Sequence, residues 1–131
     1  MSKKIGAHST YAKKVFAIEA NAIQSLGQSL TKDFDQVIEL ILAIKGRLVV
    51  TGMGKSGLIG RKMAATFSST GTPSFFLHAA EAFHGDLGMV TTNDVILAIS
   101  KSGETSEILQ LIPYFKNKKI SNSKIYNLAK S

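Results

Sequence analysis

Hydrophobic positions recur with two different periods along this 131-residue chain. Between Tyr11 and Leu30, Val15, Ile18, Ala22, Ile23 and Leu26 recur at helical spacing with no proline, which predicts a first helix. Phe34, Val37, Ile38, Ile41 and Leu42 follow i, i+3, i+4, i+7 and i+8 and predict a second. Thr31 and Asp33 are its candidate N-caps, and Gly46 is the expected C-cap. Both apolar stripes are expected to pack, in a core or against another copy.

The pattern then changes. Arg47-Leu48-Val49-Val50-Thr51 is a short β-branched run that breaks into glycines, the signature of a strand. Leu58 to Ser68 is helix-compatible, and Gly71-Thr72-Pro73 marks a turn. Ser74 to His78 predicts a second strand, Ala79 to Phe83 a short helix, and Asp94 to Ser100 a third strand apolar enough for burial on both faces. Ser106 to Phe115 predicts another helix. Asn117 to Ser131 is rich in Lys, Asn and Ser, with a weak strand pattern around Ile125-Tyr126. Strands alternating with helices imply an α/β fold with a parallel sheet between helical layers. In such sheets ligands bind beyond the carboxyl ends of the strands. The informative segments are therefore 52–57, 78–89 and 100–105.

Composition narrows the classes. The chain is 44% hydrophobic and 19% charged, enough for a core and unlike a disordered chain. No stretch of membrane-spanning length lacks polar residues, and no apolar segment follows Met1-Ser2-Lys3-Lys4, so neither a transmembrane helix nor a signal peptide is expected. Cysteine is absent, which removes disulfides, zinc–thiolate sites and thiol nucleophiles and fits a cytoplasmic setting. The formal charge is +7, yet the excess sits at the ends, on Lys3, Lys4, Lys13 and Lys14 and on Lys118, Lys119, Lys124 and Lys130. The stretch between carries a slight negative balance. Nucleic-acid binding is therefore not expected.

Three segments could carry chemistry. Gly52-Met53-Gly54-Lys55-Ser56-Gly57 joins a strand to a helix, where glycines allow close backbone approach and the helix start offers N–H groups to an anion. It is not a Walker A loop, which would need glycine at Val49. It satisfies the dinucleotide pattern G-x-G-x-x-G, but the second strand ends in Leu77-His78 rather than an acid. Ser100-Lys101-Ser102-Gly103-Glu104-Thr105 is either a neutral phosphate cradle or an ordinary helix cap. His78, Glu81, His84 and Asp86 gather after the second strand, a set that suits a metal or a substrate-contacting imidazole.

Taken in order, Val50 to Gly57, Gly60 to Phe67, Gly71-Thr72-Pro73, His84 to Met89 and Ser100 to Ile108 resemble the sugar isomerase (SIS) domain of the arabinose-5-phosphate isomerases, the KpsF/GutQ family. The likeness is close from about Val49 to Lys116. It implies a three-layer SIS-type αβα sandwich with N-terminal helices, spanning residues 1–131 and incomplete at its C-terminus, with 117–131 a divergent polar tail and no CBS modules. It implies interconversion of D-ribulose 5-phosphate and D-arabinose 5-phosphate through an enediol, feeding Kdo and lipopolysaccharide synthesis in the cytoplasm. Carried over by motif, Lys55, His84 and Glu107 are the catalytic candidates. Ser56, Gly71, Thr72, His78, Ser100, Ser102, Glu104 and Thr105 are the substrate-binding candidates. His78 is also a metal candidate for a weak or inhibitory zinc, with no cofactor required. A homo-oligomer, tetrameric in the full-length form, is implied, with no nucleic-acid or membrane partner. The family's later catalytic glutamate and histidine have no counterpart here, so a truncated form without turnover, or a phosphosugar-binding regulatory module, is the alternative expectation.

Overall fold

A computed structural model describes residues 5–120. The element order is α1 (Ile5–Ser29), α2 (Lys32–Leu42), β1 (Leu48–Gly52), α3 (Gly54–Ser69), β2 (Ser74–His78), α4 (Ala79–Ala82), a 3-10 turn (Asp86–Met89), β3 (Val95–Ile99) and α5 (Ser106–Asn117). The chain divides into two compact units, one holding α1 and the start of α2 through Gln36, the other running on from Val37. The weak strand pattern around Ile125-Tyr126 lies outside the described residues.

In the first unit, α1 leaves its apolar residues in solvent: Phe16 is 67% and Ile23 72% exposed. Among the described residues Ile18, Ile23 and Leu26 of the stripe are exposed and Val15 is half-buried. At the start of α2 the Thr31 hydroxyl accepts the Asp33 N–H at 3.3 Å, the expected N-cap bond.

In the second unit, three parallel strands lie in the order β2-β1-β3. Leu48, Val49, Val50, Thr51 and Gly52 pair with Ser74 to His78 on one side and with Val95 to Ile99 on the other. Alternation along the strands separates two apolar layers. Leu48, Val50 and Val95 pack with Ala64 and Phe67 of α3 and with Leu40, Ile41 and Ile44. Val49 and Leu77 pack with Ala79 and Ala82 of α4, Leu87, Val90, and Ile108, Leu111 and Phe115 of α5. Helices thus cover both faces, the expected three-layer sandwich. Only β1 is buried throughout. The expectation that β3 is buried on both faces fails: it is an edge strand among the described residues, and Ala98 is exposed.

Gly46 is not the C-cap of α2, which ends at Leu42. Its N–H donates to the Asn93 carbonyl at 3.0 Å. A Cβ at Gly46 would stand 2.5 Å from Asp94 Oδ1. Glycine is required there by that close approach. The buried Asp94 carboxylate accepts the backbone N–H groups of Arg47 at 2.7 Å and Thr91 at 2.8 Å. The Arg47 guanidinium lies 3.5 Å from the same carboxylate, donates to the Met89 carbonyl at 2.6 Å, and covers the Phe75 ring at 4.5 Å. This tie joins the starts of β1 and β3.

At the other end of α5, Lys119 takes φ 53°. The Ile120 N–H reaches the Phe115 carbonyl and the Lys119 N–H reaches the Lys116 carbonyl, each at 3.1 Å. Ile120 is buried against Phe115. These are the two bonds and the apolar contact of a Schellman stop.

Candidate functional site at the carboxyl edge of the sheet

The strand register places the ends of the three strands side by side: His78 beside Gly52, and Gly52 beside Ile99. Neighbouring strands lie about 4.8 Å apart, so the segments that leave them form one edge. The predicted segments 52–57, 78–89 and 100–105 all start there.

The first is shorter as a loop than the sequence suggests. α3 begins at Gly54, so Lys55 and Ser56 stand in its first turn rather than before it. The chain turns this tightly because Gly54 takes φ 52° and because Gly57 crosses β1 closely. A Cβ on Gly57 would lie 2.9 Å from the Gly52 carbonyl oxygen. Lys55 is exposed and Ser56 half-buried. Met53 precedes the helix and offers no side-chain cap, so the first N–H groups of α3 remain available to an anion.

The third segment folds on its own hydroxyls. Ser100 Oγ accepts the Gly103 N–H at 3.0 Å and lies 2.8 Å from Thr105 Oγ1. Ser102 Oγ accepts the Glu104 N–H at 3.1 Å. Gly103 takes φ 72°, which permits the turn. Thr105 holds the cap position of α5 but makes no cap bond. The helix-cap reading of these hydroxyls therefore fails, and the start of α5, like that of α3, carries no hydroxyl cap. Glu104 is exposed.

Glu107 sits in the first turn of α5, where its own backbone N–H and the Ser106 hydroxyl, 2.9 Å from Oε2, hold its carboxyl below the usual glutamate range. It is an ionised base at neutral pH, with its carboxylate open to solvent.

His78 closes β2 and holds the cap position of α4 without a side-chain cap bond. Its Nδ1 is buried and has no hydrogen-bond partner. His84 is exposed just beyond α4, its backbone N–H donating to the Glu81 carbonyl at 2.9 Å. Among the described residues no group of three or more His, Asp or Glu side chains could hold a metal ion, so His78 has no co-ligands for zinc there. Nor does a hydrogen bond or ion pair join Lys55, His84 and Glu107 to one another.

Two of the expected residues lie elsewhere. α3 returns from the carboxyl edge to the amino edge, and Gly71 and Thr72 close that return before β2 begins. The Thr72 N–H donates to Phe67 O at 2.9 Å, and Pro73 O accepts the Leu48 N–H at the start of β1. They are a strand's length away, about 13 Å. Within one chain they stand apart from the segments at the carboxyl edge, because the helix between motif and turn spans the sheet. The sequence reading also overlooked Thr51, whose hydroxyl is fully buried and unpartnered. Its only signal was a hydroxyl at the end of an apolar strand.

Comparison with known proteins bears on this arrangement. A profile of the SIS domain matches residues 41–127. Arabinose 5-phosphate isomerase KdsD of Escherichia coli is 60% identical over 104 residues, which are 79% of this chain and 32% of that protein. The Pseudomonas aeruginosa protein of the same name is 55% identical over 105 residues, 80% of this chain and 32% of its own length. Among solved structures, an E. coli CFT073 protein in complex with arabinose 5-phosphate superposes with TM-score 0.83 at 44% identity, covering 88% of this chain and 62% of that one. A Listeria monocytogenes protein superposes equally well, TM-score 0.83, at 33% identity and 90% and 62% coverage. The chain thus spans about a third of the length of the curated relatives it matches.

Proposed function

Since the chain belongs to the SIS domain family, we propose that its carboxyl sheet edge is the phosphosugar site of an arabinose 5-phosphate isomerase. The observation that carries this reading is the pair of long helices, α3 and α5, that start at one edge without side-chain caps. Unpaired N–H groups and aligned peptide dipoles favour a phosphate there. The relatives' names and the arabinose 5-phosphate complex of a 44%-identical structure support a pentose phosphate as the ligand.

In this reading Ser56, Ser100, Ser102 and Thr105 donate to phosphate oxygens, and Lys55 stabilises negative charge as an enediolate develops. Glu107, ionised and accessible, moves the proton between C1 and C2. His84 and His78 contact the sugar, and Glu104 is the alternative acid/base. Moving a proton between adjacent carbons changes no net oxidation state, so no redox cofactor is called for. The product supplies Kdo synthesis in the cytoplasm, and the working form is a homo-oligomer. A second reading, phosphosugar binding without turnover, is favoured by the lack of any hydrogen bond among Lys55, His84 and Glu107.

Calorimetric titration with D-arabinose 5-phosphate, paired with an NMR assay of its conversion to D-ribulose 5-phosphate, tests both. Binding with turnover supports the isomerase, binding alone supports the module, and no binding overturns both.

A further inference from the structure

Phe76 touches both the helix that carries Lys55 and the imidazole of His78. Its ring lies on the α3 face of the sheet, one of the residues packed around Val50 and Ala64. There α3 is notched by two glycines one turn apart. A Cβ on Gly60 would stand 3.0 Å from Phe76 Cε2, and one on Gly57 would stand 3.5 Å from its Cζ. The Arg61 guanidinium covers the ring at 4.6 Å. Two residues on, and so on the same face of β2, the His78 imidazole meets the ring edge to face, with centroids 6.3 Å apart and planes at 73°.

A histidine at a binding site is ordinarily oriented by a hydrogen bond from the ring nitrogen that does not touch the ligand. His78 has no such bond, because its Nδ1 is buried without a partner. The aromatic contact is what orients it. We propose that Phe76 is a positioning residue: seated in the Gly57–Gly60 notch, it fixes the His78 imidazole so that Nε2 is presented at the phosphosugar site. An unpaired N–H facing apolar surroundings costs more than an unpaired lone pair there. The neutral ring therefore carries its proton on Nε2, and His78 donates from that atom to a ligand oxygen. This deepens the reading above and rests on it for the identity of the ligand. The close approach explains why Gly60 lacks a side chain: a methyl group there would press on the ring, and with it the imidazole.

The test combines two measurements on Phe76→Leu, with Leu48→Val as a control that shortens a buried side chain in the same apolar layer at the far end of the sheet. The first is the long-range 15N–1H pattern of the three imidazoles in the unliganded protein. It is expected to show His78 as the Nε2–H tautomer in the parent and in Leu48→Val, and a mixed pattern in Phe76→Leu. The second is the affinity for D-arabinose 5-phosphate, expected to fall about tenfold or more in Phe76→Leu alone, as for a displaced contact group. An unchanged His78 pattern in Phe76→Leu, or an equal change in Leu48→Val, overturns the role of Phe76. A parent protein that does not bind the sugar phosphate overturns the site reading instead, while the imidazole pattern still decides the positioning claim.

Discussion

Ser100 and Thr105 face each other at 2.8 Å across the loop that joins β3 to α5. Ser100 Oγ also accepts the Gly103 N–H, and either hydroxyl can supply the proton between Ser100 and Thr105. The bond draws Thr105 away from capping α5 and leaves that helix start open. One hydroxyl pair thus shapes the loop and leaves the start of α5 uncapped. Ser100→Ala removes both contacts. Affinity for D-arabinose 5-phosphate should fall about tenfold, the worth of one or two hydrogen bonds, while the melting temperature changes little. Calorimetry alongside thermal unfolding checks this.

Glu107 should titrate below the ordinary glutamate range, because its own N–H and the Ser106 hydroxyl favour the charged form. Ser106→Ala should move the midpoint up, which 13C NMR of the carboxyl reads directly. The sign for stability follows from linkage. A carboxyl with a depressed folded value adds stability above its unfolded value and loses it as pH falls through the folded one. Glu107→Gln should therefore cost stability at neutral pH and nothing in strong acid.

The short β-branched and aromatic runs of Arg47 to Thr51 and Ser74 to His78, each bounded by turn residues, were enough to place both strands within a residue. The segments 52–57 and 100–105 were legible as strand-to-helix joints because their glycines and hydroxyls interrupt the apolar runs. Other features depend on distance in sequence. Asp94 closes on Arg47 across 47 residues, and no local pattern reveals why Gly46 must lack a side chain. Gly71 and Thr72 belong to the opposite edge from the one their motif suggests, because motif order says nothing about which end of a helix faces the ligand. The stop of α5 is hidden in the sequence because Lys119 occupies a position that usually signals itself with glycine.

Lys119→Gly should stabilise the protein by about 1 kcal/mol, since a left-handed backbone costs a side-chain-bearing residue roughly that much. Lys119 has φ 53°, and urea unfolding gives the difference. A loss of stability would show that the lysine side chain contributes more than its backbone costs.

Asp94→Ala should be among the most damaging single changes. It strands the Arg47 and Thr91 N–H groups and leaves the Arg47 guanidinium without its carboxylate. Unmet buried donors cost about 1–3 kcal/mol each, so a loss of roughly 3 kcal/mol is expected by chemical denaturation. Arg47→Lys should cost less, because it retains the backbone bonds to Asp94.

On the proposed function, a phosphosugar sits at the carboxyl edge, between the starts of α3 and α5. Backbone amide NMR during titration with D-arabinose 5-phosphate tests it most directly. Saturable shifts are expected at Gly54 to Gly57 and at Gly103 to Glu107. Shifts that leave both helix starts unmoved, or no saturable shifts in a folded sample, would contradict it.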